Sequence, residues 1–312
     1  MQISKNLKYF FLLPGVLSLA AVLMLALWGL RPGIDLVGGS LLEVTYASGR
    51  PAVADLQAAT APLTLGEVRI QPAGDASYII RTKALSNTEE QSLEKALGVP
   101  QTGQVDQFTT VGPAIGAELL QKAWIAIVLV VLCTIVFIAF AFRGVSEPAR
   151  PTEPSFGRVA SWKYGIVAIV TLLHDILIPA GLFALLGHLV GAEVDALFIV
   201  ALLTILGISI NDTIVVFDRI RENLRLNSEH RKREEFDSVV GRSIVQTIAR
   251  SINTSMTVII VLAALYFLGP ETTKYFALTL IVGMIAGTYS SIFLASPLLV
   301  VWERWSASGN KK

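Results

Sequence analysis

Residues Ala196 to Leu226, ALFIVALLTILGISINDTIVVFDRIRENLRL, begin as an apolar run that carries Asn211 and Asp212 within it. At about 1.5 Å of rise per residue, some 20 residues cross a hydrocarbon core of about 30 Å, so this run is long enough to span a bilayer. Inserting a carboxylate at that depth costs roughly 2.5–3.5 kcal/mol. Side chains that bear such a cost face a bundle interior or a water-filled path and mark ion or proton routes. The rest of the chain must therefore surround Asp212 with protein.

Five further apolar runs are long enough to do so: Tyr9 to Leu30, Trp124 to Phe142, Tyr164 to Leu186, Ile248 to Leu268 and Tyr275 to Val301. With 53% hydrophobic and 16% charged residues and a mean hydropathy of +0.62, the composition is that of a polytopic membrane protein. Soluble domains carry about 25% charge. A net charge of +1 argues against a nucleic-acid surface. Cys133 stands alone in an apolar run, and His174, His188 and His230 lack ligand spacing, so no metal or other cofactor is implied. Neither a Gly-rich phosphate loop nor a Ser/His/Asp arrangement of an enzyme type is present.

Lys5 and Lys8 precede the first run, which is longer than a secretory apolar core and has no small-residue cleavage site, so it reads as an uncleaved first span. The 143–163 connection has Arg143, Arg150, Arg158 and Lys163, and the 218–247 connection has seven Arg or Lys residues; 187–195 has none and 269–274 only Lys274. Short basic loops stay in the cytoplasm, which places both termini inside and residues 31–122 outside. In the 218–247 connection Phe236, Val239, Val240 and Ile244 recur at helical spacing, which predicts one or two helices lying on the cytoplasmic membrane face, with a solvated charged side.

Residues 31–122 change character. SLLEVTYA alternates as a strand, PAVADLQAATAPL has helical spacing after Pro51, and EVRIQ and SYIIRT read as a hairpin joined by Pro72 to Ala76. Asn87 with Glu90 fits a capping box for a helix carrying Leu93 and Leu97 and closed by Gly98, and GQVDQFTTV supplies a last strand. The order βαββαβ is that of a ferredoxin-like α+β domain. The expected organisation is a first span over 1–30, that domain over 31–122, a five-helix region over 123–305 and a tail over 306–312.

Three spans carry unusual polar groups. His174 and Asp175 lie in TLLHDILIPAG ahead of Pro179, Asp212 sits toward the inner end of its span, and Arg250 opens the next with Asn253 after it. Asp212 and Arg250 flank the same cytoplasmic connection and so lie at comparable depth. Removal from water favours the neutral acid and a nearby guanidinium the carboxylate, a balance suited to proton uptake and release. A structural pair, or for Arg250 a snorkelling side chain, fits these residue types as well. Gly283 and Gly287 have the small-xxx-small spacing of close helix contact.

GIDLVGG at Gly33 to Gly39, TTVGPAIGAELLQKA, HDILIPAG and above all GISINDTIVVFDRIRENL resemble the SecF family of bacterial protein-export membrane subunits, nearly over the whole chain and in the right order. The resemblance implies six transmembrane helices on the resistance-nodulation-division plan, with a ferredoxin-like periplasmic domain between the first two. It implies a multi-pass protein of the inner membrane, and a non-enzymatic subunit that works with SecD and the Sec translocon channel, using the proton-motive force to promote export of unfolded precursor proteins. Membrane lipids surround it, and no nucleic acid is involved. On this family's motifs Asp212 and Arg250 match residues of the proton pathway; His174 and Asp175 map onto HDxLIP, with Asn211 and Asn253 as supporting polar groups. The proline-rich RGVSEPARPTEPSFGRVAS is longer than the family's usual connection and reads as a flexible surface insertion. The alternative from the same superfamily is half of a proton-coupled small-molecule efflux permease.

Overall fold

The computed structural model describes residues 7–47, 49–141, 161–230 and 234–309. In chain order the elements are α1 (Leu7–Trp28), α2 (Ile34–Val37), β1 (Gly39–Thr45), α3 (Val53–Thr60), β2 (Arg69–Ala73), β3 (Ser77–Thr82), α4 (Asn87–Ala96), β4 (Gln104–Val111), α5 (Pro113–Ala141), α6 (Ser161–Val190), α7 (Ala196–Glu229), α8 (Phe236–Leu268), α9 (Glu271–Ser290), a π-helical turn over Ser291–Ala295 and α10 (Ser296–Gly309). The chain divides into two compact units, one of residues 1–29, 126–185 and 200–312, the other of 30–125 and 186–199. Most of the proline-rich insertion, with Arg143, Arg150 and Arg158, lies outside the described residues, as do Lys5 and the 231–233 basic triplet.

In the smaller unit the four strands pair antiparallel in the order β2-β3-β1-β4, the ferredoxin-like arrangement that the βαββαβ order predicts. β1 is central because its apolar residues meet partners on both sides: Leu42 lies opposite Ile80 and Phe108, and Val44 opposite Tyr78 and Val105. With Leu56, Leu93 and Leu97 these side chains form the core. Pro72 and Ala73 remain in β2, shortening the turn to Gly74–Ala76. β2 is an edge strand, where a proline's missing N–H breaks no ladder bond. The capping box forms one residue earlier than the Asn87–Glu90 reading. Ser86 is the N-cap, its N–H donating to Glu89 Oε2 at 2.9 Å and its Oγ accepting from the Glu89 N–H at 3.4 Å. Lys83, 2.7 Å from Glu89 Oε1, favours this register.

The connection between α6 and α7 belongs to this same unit. Gly33 N–H donates to Val194 O and Val194 N–H to Arg31 O, both at 2.8 Å, forming a parallel bridge between Pro32 and Val194. Gln71 Nε2 donates to Gly191 O at 2.8 Å, while buried Glu193 pairs with Arg81 at 3.1 Å and Arg69 at 3.5 Å.

Among the described residues six helices have the length and apolarity to cross a membrane: those starting at Tyr9, Pro113, Trp162, Ala196, Phe236 and Glu271. The core of the larger unit joins Phe10, Tyr164, Val167, Val216, Phe217, Ile220, Val240, Ile244, Ile292 and Leu299. The separate surface helices expected within 218–247 do not form. α7 runs unbroken to Glu229 and α8 begins at Phe236, so the spans themselves extend past the apolar zone. Pairs at helical spacing, Arg221–Asp218, Arg219–Glu222 and Arg225–Glu229, support that extension in water. Asn223 bridges it to Ser243 and Gln246, each at 2.8 Å. The sixth span also departs from a single regular helix. Pro297 cannot donate to Phe293 O, and a π turn precedes it in which Ser296 Oγ donates to Ser291 O at 3.0 Å.

Candidate functional site

α6 carries His174 and Asp175 near its middle, one turn before Pro179, whose missing N–H leaves the Asp175 carbonyl without its usual helical donor. The Asp175 side chain is fully buried. Its Oδ2 accepts a short hydrogen bond from Ser209 Oγ of α7 and another from Ser290 Oγ at the end of α9, at 2.9 Å. Its Oδ1 has no hydrogen-bond partner among the described residues. Three helices thus converge on one carboxylate, and two glycines allow it. A Cβ on Gly283 would run into the Ile205 side chain, and one on Gly287 would stand 3.0 Å from Ser209 Cβ. The small-xxx-small spacing is therefore a contact between α9 and α7.

Asp212, only 4% exposed, lies one turn after Ser209 on α7. Ser255 of α8 hydrogen-bonds it, and Arg250 acts on it electrostatically. Ser255 Oγ in turn accepts from Thr288 Oγ1 of α9 at 2.6 Å. The two carboxyl groups are near enough to sense each other's charge. Buried His174 completes the cluster: its Nδ1 is hydrogen-bonded to Ser18 of α1 at 2.7 Å and its Nε2 shares a short hydrogen bond with the Tyr289 hydroxyl.

Of the residues singled out from sequence, Asp175, His174 and Asp212 come together inside one bundle. Arg250 stands at its margin on a surface that this chain leaves uncovered, and Asn211 and Asn253 are likewise exposed, outside the hydrogen-bonded cluster. The hydroxyls of Ser209, Ser255, Thr288, Tyr289 and Ser290 were not anticipated. The one sequence signal for them is spacing, since Ser209 precedes Asp212 by a helical turn.

Residues 159–305, which contain every one of these groups except Ser18, match the family model described as protein export membrane protein SecD/SecF, C-terminal. The protein translocase subunit SecF of Thermobaculum terrenum is 42% identical over 308 residues, covering 94% of this chain and 91% of the relative. The chain belongs to the SecF family. A translocase subunit SecDF of Thermus thermophilus is 35% identical over 237 residues, 76% of this chain and 29% of that longer one. The crystal structure of SecDF from Thermus thermophilus, described as a translocon-associated membrane protein, superposes with a TM-score of 0.81 at 31% identity, over 97% of this chain and 39% of its own length. SecF membership makes this an accessory subunit of the Sec translocase and a transport protein rather than an enzyme. The efflux alternative finds no support in these relatives.

Proposed function

We propose that this SecF chain, paired with SecD beside the Sec translocon channel in the inner membrane, couples inward proton movement to the export of unfolded precursor proteins. The observation that carries the reading is the placement of Asp175 and Asp212 in one bundle interior, hydrogen-bonded by hydroxyls and with Arg250 acting on the second. Hydroxyls both donate and accept, so they can serve a carboxylate and a neutral acid alike, as a fixed ion pair cannot. Asp212, Arg250 and Asp175 form the proton pathway, His174 supports it, and the small domain, on the periplasmic side with both termini cytoplasmic, engages the emerging chain.

Arg250, Asn211 and Asn253 give the SecD partnership a physical reason, because polar side chains at membrane depth face protein or water rather than lipid. In the fused relatives both parts share one name and one chain. The driving force is adequate: one charge crossing about 100 mV yields roughly 2.3 kcal/mol, which moves a two-state equilibrium about fiftyfold.

The test is Asp212→Asn in vesicles containing SecD and the channel. The variant inserts at the wild-type level, and export no longer responds to an imposed proton gradient. A normal response would refute the coupling.

A further inference from the structure

Three consecutive residues of α9 each reach a different member of the buried cluster. Thr288 bonds Ser255, which bonds Asp212; Tyr289 bonds His174; Ser290 bonds Asp175. A helix spreads successive side chains about 100° apart, so one turn touching α6 and α8 at once requires the end of α9 to lie between them. The π turn starts at the very next residue, Ser291.

Two of these hydroxyls have a second acceptor on their own helix. Ser290 Oγ lies 2.9 Å from Asp175 Oδ2 and 3.1 Å from Gly287 O. Thr288 Oγ1 lies 2.6 Å from Ser255 Oγ and 2.8 Å from Met284 O. A hydroxyl has one proton to donate, so in each case the bond across to α6 or α8 competes with a bond back into α9. An anionic acceptor wins that competition and a neutral one does not, because charge-assisted hydrogen bonds are roughly twice as strong.

We propose that Thr288 and Ser290 are positioning residues through which the charge on Asp212 and Asp175 sets how firmly α9 is held to α8 and α6. This inference rests on the proton reading above and deepens it. With Asp175 ionised, Ser209 and Ser290 both donate to Oδ2 and tie α7 and α9 to α6. A proton arriving on the carboxyl forms an O–H bond there and removes the negative charge. Ser290 then turns its proton to Gly287 O and the tie is released; departure of the proton reverses the sequence, with no other bond made or broken. At Asp212 the same change passes through Ser255 to Thr288. The ionisable and charged groups around the two acids are each other, Arg250, His174 and Tyr289. The π turn gives the released end of α9 a place to adjust, since such turns lack the regular bond ladder.

The experiment uses the full chain with SecD in vesicles and two readouts, proton-gradient-stimulated export and the infrared carboxyl band that disappears in Asp175→Asn or Asp212→Asn. Thr288→Val keeps the shape and removes the hydroxyl, whereas Thr288→Ser keeps the hydroxyl; Ser290→Ala removes the other donor. Thr288→Val and Ser290→Ala are expected to insert normally, to lower the stimulation, Ser290→Ala by at least about tenfold as loss of a hydrogen bond to a charged group would and Thr288→Val by about fivefold as loss of a neutral one would, and to shift the Asp212 and Asp175 bands respectively. Thr288→Ser retains both signals. Wild-type stimulation in Thr288→Val and Ser290→Ala overturns the proposal, and so does lost stimulation with unmoved bands, which would mark a merely structural role. If Asp212→Asn itself responds normally to the gradient, the proton reading falls, and the bands alone then decide whether the two hydroxyls follow the charge.

Discussion

Gly287 of α9 faces Ser209 of α7 so closely that a Cβ there would lie 3.0 Å from Ser209 Cβ and 3.3 Å from its Oγ. The same Ser209 hydroxyl donates to Asp175, so helix spacing and the state of the acid are set at one point. Gly287→Leu is expected to separate α9 from α7 and destabilise the bundle by about 1–3 kcal/mol, the usual cost of overpacking. It should also remove gradient-stimulated export, while Gly287→Ala, which needs the neighbour to yield by only tenths of an ångström, does neither fully. Thermal unfolding in detergent and export in vesicles check the two effects.

His174 is held from both sides, by Ser18 of α1 and Tyr289 of α9, with the His174 and Tyr289 rings edge to face at 5.5 Å. Hydrogen bonds between membrane helices contribute about 0.6 kcal/mol on average and up to about 1.7. Tyr289→Phe should therefore lower stability by roughly 1 kcal/mol, and His174→Phe by more, since it leaves both Ser18 and Tyr289 without their partner. Thermal unfolding of the two variants and of the double variant reads this out. The double should cost little beyond His174→Phe alone.

The acids were legible in the sequence and their partners were not. Asp175 and Asp212 stand out because carboxylates in apolar runs are rare. Serine and threonine are ordinary there, and many simply donate back into their own helix, as Thr171, Ser243 and Thr247 do. Only the packing of α9 against α7 distinguishes Ser209 and Ser290 from those. In the 218–247 segment the spacing of Phe236, Val239, Val240 and Ile244 marks a helix but not that it is the start of the fifth span, and local Arg–acid pairs carry α7 on as a helix to Glu229. The small domain is legible in order and type because its short apolar segments, SLLEV and SYIIRT among them, are bounded by Gly, Pro and Ser. Its capping box was displaced by one residue because Ser86–Glu89 and Asn87–Glu90 satisfy the same spacing.

That capping box gives a pH signature. Glu89 hydrogen-bonds Lys83 and the N–H and hydroxyl of Ser86, which hold its carboxyl down at about 2. A carboxyl depressed in the folded state contributes stability that is fully present above its ordinary range and is lost as pH falls toward its folded value. The stability difference between the wild type and Glu89→Gln should thus be constant above about pH 5, shrink steadily toward about pH 2, and narrow with added salt because the group is exposed. Unfolding midpoints of the two proteins across this range measure it. Ser86→Ala, which removes the cap and with it the hydroxyl's bond to the Glu89 carboxylate, should cost about 1 kcal/mol above about pH 5 and less toward about pH 2.

The connection between α6 and α7 should respond in the opposite sense. Burial pushes the Glu193 carboxyl up, outweighing the pull of Arg81, Arg69 and Arg31, and the nearby Asp195 carboxyl is raised as well by burial and by Asp35. A carboxyl raised in the folded state contributes stability present below its ordinary range and lost as pH rises through its folded value. Ionised Glu193 therefore costs more in lost hydration than its arginines return, while a neutral acceptor in the same place would keep the bond to Arg81. Glu193→Gln should accordingly gain on the wild type as pH rises from about 4 to 8, the window around and above a glutamate's usual value. Glu193→Arg, which sets a fourth cation among Arg81, Arg69 and Arg31, should free the connection outright and speed exchange of the Gly33 and Val194 amides at every pH. Equal exchange in the wild type and Glu193→Arg would show that backbone pairing of Pro32 with Val194 and the Gln71 amide hold the segment without any help from its charge.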